Sequence, residues 1–181
     1  MLITDVPAGF TLNTKATGNS GTSLQTPAVA SIAPKSKCAD LSATSFITMT
    51  GVTGVAFAQS DYNDKANNEI SQEVDAYRAG TSTDVMTRMR KVLAQCAKFS
   101  LKAAGVTATE QVKTSEVRGL GQDAVKAVVT ALQFYGGTTL VIVRVGNNVV
   151  SAFYNDTTGS YDDGHLLDIV RKLVANVQTA S

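Results

Sequence analysis

The segment from Gly136 to Tyr154 limits the possible folds of this chain more than any other stretch. It contains two runs rich in β-branched and other apolar residues, TTLVIVRV and VVSAFY. Gly146, Asn147 and Asn148 lie between the runs and tolerate the positive φ angles of a tight turn. Because a tight turn joins strands that run in opposite directions, the segment predicts a β-hairpin within an antiparallel sheet.

One charged residue interrupts the first strand of this hairpin. Leu140, Ile142 and Arg144 share one face of the strand, and the intervening valines share the other. The Arg144 side chain either extends to solvent at a sheet edge or presents its paired N–H donors to an anionic ligand. Arg144 is therefore the candidate ligand-binding residue.

Four further segments have strand character. GVTGVAFAQSDY begins at Gly51, and ISQEVDAYR follows it after a polar turn that ends in NNE. TATEQVKTSEVR and AVKAVVTALQFY come after Gly105 and are separated by the short break GLGQD. Short polar turns between consecutive strands favour antiparallel pairing, as in the hairpin.

Two segments have the apolar period of an amphipathic helix. In the first, residues 81–84 are suited to cap the N-terminus, and an apolar stripe follows them: Val85, Met89, Val92, Cys96 and Phe99. In the second, two acidic residues precede the stripe: Asp162 and Asp163, then Leu166, Val170, Leu173, Val174 and Val177. Each stripe needs an apolar surface to pack against, and the sheet provides one.

The order of these elements predicts an α+β fold. We expect an antiparallel β-sheet with two main helices and a short N-terminal helix, beginning at Pro34, packed on one face. A chain of 181 residues suits a single domain over residues 1–181. Residues 1–35 are rich in Gly, Ser, Thr and Pro in their second half, so we expect them to be mostly extended and loop.

Charge and hydropathy exclude some classes of partner. The formal net charge is +1, so bulk electrostatics favours neither nucleic acid nor an anionic membrane surface. No window approaches the roughly 18 consecutive apolar residues that a membrane-spanning helix needs. We therefore expect no nucleic acid partner, and contact with a membrane only through an anchor removed from this chain.

The two cysteines, Cys38 and Cys96, have three interpretations. They are packed thiols in a reduced protein, or reactive or metal-ligating groups, or the two halves of a disulfide bond in an oxidising compartment. The chemical interpretation is the weakest, because His165 is the sole histidine and zinc needs three or four ligands. A bridge would contribute roughly 4 kcal/mol in the chain-entropy model and tie the short helix onto the main helix, so we favour it.

Several short motifs occur here in an order known from one family. Cys96-x-x-Phe99 at the end of a helix is followed by a strand, the turn from Leu120 to Asp123, the VIVRVGNNVV hairpin and a final helix. The chain also opens with the phrase TDVPAGF. This pattern resembles actinobacterial extracytoplasmic domains, some of them lipoproteins, that are related to the sensor domain of the mycobacterial serine/threonine kinase PknH.

The resemblance implies an antiparallel sheet with helices packed against it, and a groove for an unidentified ligand. The chain departs from the kinase's sensor domain because it has two cysteines where that domain has two bridges, and it carries no kinase segment. A secreted or lipid-anchored sensor-like domain is therefore the closer expectation.

The chain shows no catalytic constellation. His165 follows two aspartates, where a carboxylate could orient it as a general base, but an exposed histidine in the first turn of a helix is the simpler interpretation. The run DYNDKANNE offers alternating oxygen ligands for a cation, namely Asp61, Asn63, Asn67 and Glu69. It departs from a calcium-binding loop at Lys65 and Ala66, so a solvated hairpin turn is favoured. We predict no metal site, no cofactor and no enzymatic activity.

These observations predict an extracytoplasmic domain that binds or senses a ligand. Its expected partner is an unidentified small molecule or a component of the cell envelope. Two alternatives stay open. One is a secreted hydrolase that uses His165 with a carboxylate, and the other is an envelope assembly protein that binds through an exposed apolar face.

Overall fold

The predicted hairpin forms the two central strands of an antiparallel sheet. The computed structural model describes residues 2–21, 37–43, 45–103, 105–131, 133, 135–159 and 163–180. Within these residues lie eight strands: β1 Thr11–Asn19, β2 Ala56–Asn63, β3 Glu69–Ala76, β4 Lys98–Ala103, β5 Val106–Glu116, β6 Asp123–Ala131, β7 Gly137–Val145 and β8 Asn148–Asp156. They are arranged in the order β1-β2-β3-β8-β7-β6-β5-β4, and every neighbouring pair is antiparallel. The predicted α+β class and antiparallel sheet are confirmed.

The two helices, α1 Thr81–Gln95 and α2 Asp163–Ala180, pack on opposite faces of this sheet. The prediction that they share one face is wrong. Leu140 and Ile142 of β7 contact the core beneath α1, whereas Val141 and Val143 contact the core beneath α2. A strand that is apolar on both faces must be covered on both, so one helix lies on each side. Neither described helix is long and apolar enough to cross a membrane.

No α-helix is present in the described residues where the short N-terminal helix was expected. Two 3-10 helices lie there instead, Cys38–Ser42 and Phe46–Thr50, while Pro34 itself lies outside the described residues. Neither has a side-chain cap at its N-terminus, and the extended conformation of Ala43 ends the first after a few residues. Their apolar side chains are nevertheless buried against α1, namely Leu41, Phe46, Ile47 and Met49.

The first helix ends at Gln95, before the predicted stripe is complete. Val85, Met89 and Val92 are buried as predicted, but Phe99 belongs to the edge strand β4. The sequence KFSLK alternates polar and apolar residues, which is the period of a strand. Phe99 therefore contacts the core beneath α1 from the sheet and not from the helix.

The N-terminal residues lie on the α2 side of the sheet. Ile3 is buried, and its carbonyl oxygen accepts hydrogen bonds from the Gln72 side-chain amide at 2.6 Å and the Tyr62 hydroxyl at 3.1 Å. Residues 11–19 then pair with β2, with an irregular register between Asn13 and Gly18. Residues 2–10 contain a turn at residues 8–9 and lead into β1, and residues 22–36 lie outside the described part of the chain.

Candidate functional site

Cys38 and Cys96 form a disulfide bond, with 5.5 Å between their Cα atoms. The bond joins the first 3-10 helix to the residue that directly follows α1. It therefore fixes one end of the segment that leads from Cys38 to β2, and this segment lies on the α1 side of the sheet.

Strands β2 and β3 direct three buried carboxylates to that same side. Asp61, Glu73 and Asp75, which we call the carboxyl cluster, are each no more than 5% exposed. Ile70 and Val74 of β3 pack toward α2, so the residues that alternate with them face α1. Asp61 lies opposite Ser71 in the register, and its Oδ1 accepts a hydrogen bond from the Ser71 hydroxyl at 2.7 Å.

Several polar atoms of this region have no hydrogen-bond partner in the described structure. Three of these buried atoms are Glu73 Oε2, Asp75 Oδ2 and the Tyr77 hydroxyl oxygen. Glu73 and Asp75 lie on the same face of β3, and Tyr77 directly follows the strand. A hydrogen bond between Glu73 and Asp75 lowers the pKa of Glu73 and raises that of Asp75. Folded proteins pair most buried polar groups, so three unpaired groups in one place call for an explanation.

The electrostatics of the cluster favour protonation of Asp75. Burial raises the pKa of Asp75 to about 9, and the charge of Glu73 and its hydrogen bond with Asp75 act in the same direction. Burial also raises the pKa of Glu73, and the charge of Asp61 adds to this, while hydrogen bonds with Ser45 and Asp75 oppose it. No Lys or Arg of the described residues is among the groups that shift either pKa. The cluster is therefore acidic, and no described Lys or Arg offsets the raised pKa of Glu73 or Asp75.

A short stretch of chain reaches the carboxyl cluster through Ser45, which hydrogen-bonds to Glu73, and we call residues 45–50 the cover segment. The Ser45 hydroxyl donates to Gln59 Oε1 at 2.8 Å, which holds the segment to β2. Arg88 of α1 donates to the Thr50 carbonyl oxygen at 3.4 Å. Further along, a Cβ atom at Gly54 would lie 3.4 Å from Asp75 Oδ1, so the backbone passes directly beside this carboxyl group.

Arg144, the predicted ligand-binding residue, lies on the same face as the cluster. It is half-buried in β7, opposite Val149 of β8, which in turn lies opposite Asp75 of β3. Two strand spacings, or about 10 Å, therefore separate the backbones of Arg144 and Asp75, with the buried Val149 between them. A role for Arg144 in ligand binding stays a prediction.

The residues of the two alternative functions lie in other parts of the fold. His165 is exposed on α2, across the sheet from the carboxyl cluster, while Asp162 lies outside the described residues. The large exposed apolar side chains of the described residues are divided between the two halves of the sheet: Leu12, Phe57, Val106 and Tyr135. An assembly protein would need a more continuous apolar patch, and the hydrolase alternative stays a prediction.

The turn between β2 and β3 is closed by its own side chains. Asp64 Oδ1 accepts hydrogen bonds from the backbone N–H groups of Ala66 at 2.8 Å and Asn68 at 2.9 Å. This confirms the predicted hairpin turn. No set of three or more His, Cys, Asp or Glu residues in the described part of the chain is arranged to hold a metal ion.

Two surface depressions lie away from the cluster. One, of about 190 Å³, is lined mainly by alanines and Val74 on the α2 side of β2 and β3. The other, of about 280 Å³, lies between α1 and β5, where Arg90 forms ion pairs with Glu116 and Asp123. Neither is lined by a residue of the carboxyl cluster, so neither gives an open path to it.

Sequence reasoning did not identify Glu73 and Asp75. Both alternate with apolar residues in ISQEVDA, which is also the pattern of a strand with one face in water. The available signal was that four acidic residues share one face of a predicted hairpin without any Lys or Arg on that face of its two strands, namely Asp61, Glu69, Glu73 and Asp75.

Comparison with known proteins adds a shared fold. No family model matches this chain, and no curated protein matches it. A solved structure that does match is the extracellular domain of PknH from Mycobacterium tuberculosis, with a TM-score of 0.62. The two sequences are 11% identical, and the match covers 95% of this chain and 86% of that chain. At this identity the likeness shows a common fold, which is the part of the predicted resemblance that is confirmed.

Proposed function

We propose that this chain is an extracytoplasmic sensing domain of a secreted protein or lipoprotein, and that it binds a small cationic ligand at the carboxyl cluster. The disulfide between Cys38 and Cys96 supports the compartment, because such bonds persist where the environment is oxidising. The fold shared with the extracellular domain of a kinase supports a sensing role.

The observation that carries the ligand class is the set of unpaired buried atoms. Glu73 Oε2 and Asp75 Oδ2 are acceptors when ionised, and no described cation pairs with them. An ammonium or guanidinium group supplies both the missing donors and the missing charge. Tyr77, whose hydroxyl is also unpaired, would orient the bound group.

Binding of a cation at this site would release a proton. Asp75 is protonated in the free protein at neutral pH, because its pKa is raised to about 9. A cation favours the ionised carboxylate, so the proton leaves as the ligand binds. Affinity for an amine that stays protonated over the whole range, such as putrescine, should therefore increase as the pH rises from 6 toward 9.

Access to the cluster requires the cover segment to move. Its polar attachments to the rest of the protein include the Ser45–Gln59 hydrogen bond and the long Arg88–Thr50 bond. The disulfide at Cys38 keeps the preceding chain in place while residues 45–50 shift. Ligand binding is thereby coupled to the position of a surface segment, which is what a sensing domain needs.

The test compares matched amine and neutral ligands by calorimetry and thermal shift. Glucosamine is paired with N-acetylglucosamine, and putrescine with 1,4-butanediol, against the wild type, Glu73→Gln and Asp75→Asn. We expect an amine to bind while its neutral partner does not, and each variant to weaken binding at least roughly tenfold, since one charged hydrogen bond is worth about 1.5–3 kcal/mol.

The exposed variant Asp168→Asn is the control and should bind as the wild type does, because Asp168 lies on α2. Equal binding of amines and neutral analogues, or binding that survives in both cluster variants, would show that the carboxyl cluster is not the site. Binding of divalent cations in place of amines would overturn the ligand class.

A further inference from the structure

The first residues of the chain are bound to the sheet in the way that a peptide ligand would be. The Ile3 N–H group donates to Gln72 Oε1 at 3.0 Å. The Ile3 carbonyl oxygen accepts hydrogen bonds from the Gln72 side-chain amide at 2.6 Å and the Tyr62 hydroxyl at 3.1 Å. Every residue except proline carries this pair of backbone groups, so Gln72 and Tyr62 can bind the backbone of another extended segment equally well. We call residues 2–6 the strap.

The strap lies in a groove beside α2. Helix α2 packs mainly on β7 and β8, and the strap contacts the α2 side of β2 and β3. The Ile3 side chain is buried there, and those of Leu2 and Val6 are half-buried. Lys172 of α2 forms an ion pair with Asp5 of the strap at 2.7 Å. We call this surface the strap groove, and its floor consists of the side chains of β2 and β3 that alternate with the carboxyl cluster: Ala58, Ser60, Tyr62, Ile70, Gln72 and Val74.

The strap can leave the groove without unfolding of the sheet. The Asp5 and Lys172 side chains are 85% and 51% exposed, so their ion pair contributes little to stability. The chain turns at residues 8–9, where Gly9 has a positive φ of 96°, and the Phe10 ring then contacts the ring of Tyr154. Strand β1 begins directly after Phe10. Residues 2–6 can therefore pivot about this turn while Phe10 and β1 stay in place.

The strap does not use all of the groove. Ser60 lies opposite Gln72 in the register, and its hydroxyl is buried without a hydrogen-bond partner. Further along the same side of β2 and β3 is the depression of about 190 Å³, whose lining includes Ala58 and Val74. An unpaired buried hydroxyl beside an apolar hollow is typical of a surface that fits a larger occupant than the strap.

We propose that the strap groove is a docking site for an extended segment of a partner protein, and that the strap occupies it until the partner displaces it. Ile3 and Asp5 define the segment that fits: an apolar residue, followed two residues later by an acidic residue that pairs with Lys172. An empty groove would leave the buried Gln72 amide unpaired, which destabilises the protein, so one segment exchanges for another. A longer partner segment would also reach Ser60 and the depression. A small apolar molecule fits less well, because it lacks the backbone groups that Gln72 binds.

The test measures binding of a fluorescent peptide with the strap sequence, LITDVPAG, to the full chain by anisotropy. A segment of the same chain competes at an effective concentration in the millimolar range, so the wild type should bind the peptide weakly. Replacing Ile3 with Ser in the protein removes the buried side chain of this internal competitor. The Ile3→Ser protein should therefore bind the peptide roughly tenfold more tightly than the wild type does.

Two comparisons test whether the peptide occupies the groove. A peptide that itself carries Ile3→Ser should bind the Ile3→Ser protein at least roughly tenfold more weakly, since it no longer buries the apolar side chain. Adding Lys172→Gln to that protein should weaken binding of the unchanged peptide about threefold, as expected for an exposed ion pair. Adding Lys91→Gln makes the same change of charge at an exposed position of α1 and should have no effect.

Hydrogen exchange of the wild type supplies a measurement that needs no variant. The Ile3 amide should exchange at least about 100-fold faster than the Val74 amide, because the strap opens locally whereas the centre of β3 opens only with the sheet. Equal protection of the two amides would make the strap a fixed part of the fold and overturn the proposal. So would equal binding of the two peptides, or no binding to the Ile3→Ser protein. A dimer in which the strap of each copy fills the groove of the other would overturn the class of partner.

This inference is independent of the cationic-ligand site, which lies on the other face of the same strands. Asp75→Asn should leave peptide binding unchanged, and Ile3→Ser should leave amine binding unchanged. The two proposals can therefore fail separately.

Discussion

Replacing Asp75 with Asn should stabilise this protein at pH 8 and flatten the pH dependence of its stability. Burial raises the pKa of Asp75 to about 9, from an ordinary value of 3.8. Between these two values the folded protein holds a proton that the unfolded chain releases. Because the unfolded state binds fewer protons, the free energy of unfolding falls as the pH rises through this window.

The size of the effect follows from the number of protons. One proton changes the free energy of unfolding by about 1.4 kcal/mol per pH unit, so Asp75 alone costs about 4 kcal/mol between pH 5 and pH 8. The raised pKa of Glu73 adds to the slope in the same direction. Domains have total stabilities of about 5–15 kcal/mol, so a loss of this size is readily measured. Asn has nearly the same shape and can donate from its amide to Glu73, but it cannot ionise.

The assay is urea denaturation at pH 5, 6, 7 and 8, followed by circular dichroism, for the wild type, Asp75→Asn and Asp168→Asn. Asp168 is exposed and forms an ion pair with Arg171 on the surface of α2, so its replacement should leave the slope unchanged. With each pH unit, the free energy of unfolding of the wild type should fall by about 1.4 kcal/mol more than that of Asp75→Asn, which corresponds to one proton. Equal slopes would mean that Asp75 is already ionised in the folded protein, and the account of the cluster would then be wrong.

Three further changes test the rest of the structure. Replacing Cys38 and Cys96 together with Ser should lower the free energy of unfolding by about 4 kcal/mol, since the bridge closes a loop with a sequence separation of 58; an unchanged urea midpoint would contradict this. Gly146→Ala should cost about 1 kcal/mol for its positive φ alone, whereas Gly121→Ala, with a similar φ, should cost a further 1–3 kcal/mol because its Cβ would lie 2.3 Å from a backbone oxygen. Equal melting temperatures for the two glycine variants would refute the close approach. His165→Ala should change stability by less than about 0.5 kcal/mol and leave amine binding unaltered, and a lost hydrolytic activity would instead revive the hydrolase alternative.

Local periodicity was sufficient to predict most of the elements. The hairpin around Gly146 and the two helical stripes each depend on side chains that are close in sequence, so their type could be inferred without the fold. The strand β4 was missed because the helical stripe and the strand alternation overlap at Cys96 and Phe99, and both patterns fit the same apolar residues.

The placement of the helices could have been inferred from β7. Its residues are apolar on both faces from Leu140 to Val143, which is the composition of a strand buried on both sides. A sheet with both helices on one face would have left Val141 and Val143 in water. The one-face prediction followed from the order of elements and did not use this alternation.

The carboxyl cluster could not be predicted in the same way. Glu73 and Asp75 occupy positions that would be solvated if the sheet were open on that side. They are nevertheless buried, and the chain that reaches them at Ser45 and Gly54 is distant in sequence and attached near one end by the disulfide. Burial of this kind depends on tertiary contacts, which a strand pattern does not contain.

The carboxyl cluster destabilises the fold that contains it. Glu73 and Asp75 are buried, and each has one carboxyl oxygen without a hydrogen-bond partner. A buried polar group in this condition costs about 1–3 kcal/mol. Protonation of Asp75 avoids the burial of a second charge beside Glu73, but it does not supply the missing partners. The cost is more readily understood if a ligand supplies donors to both carboxyl groups.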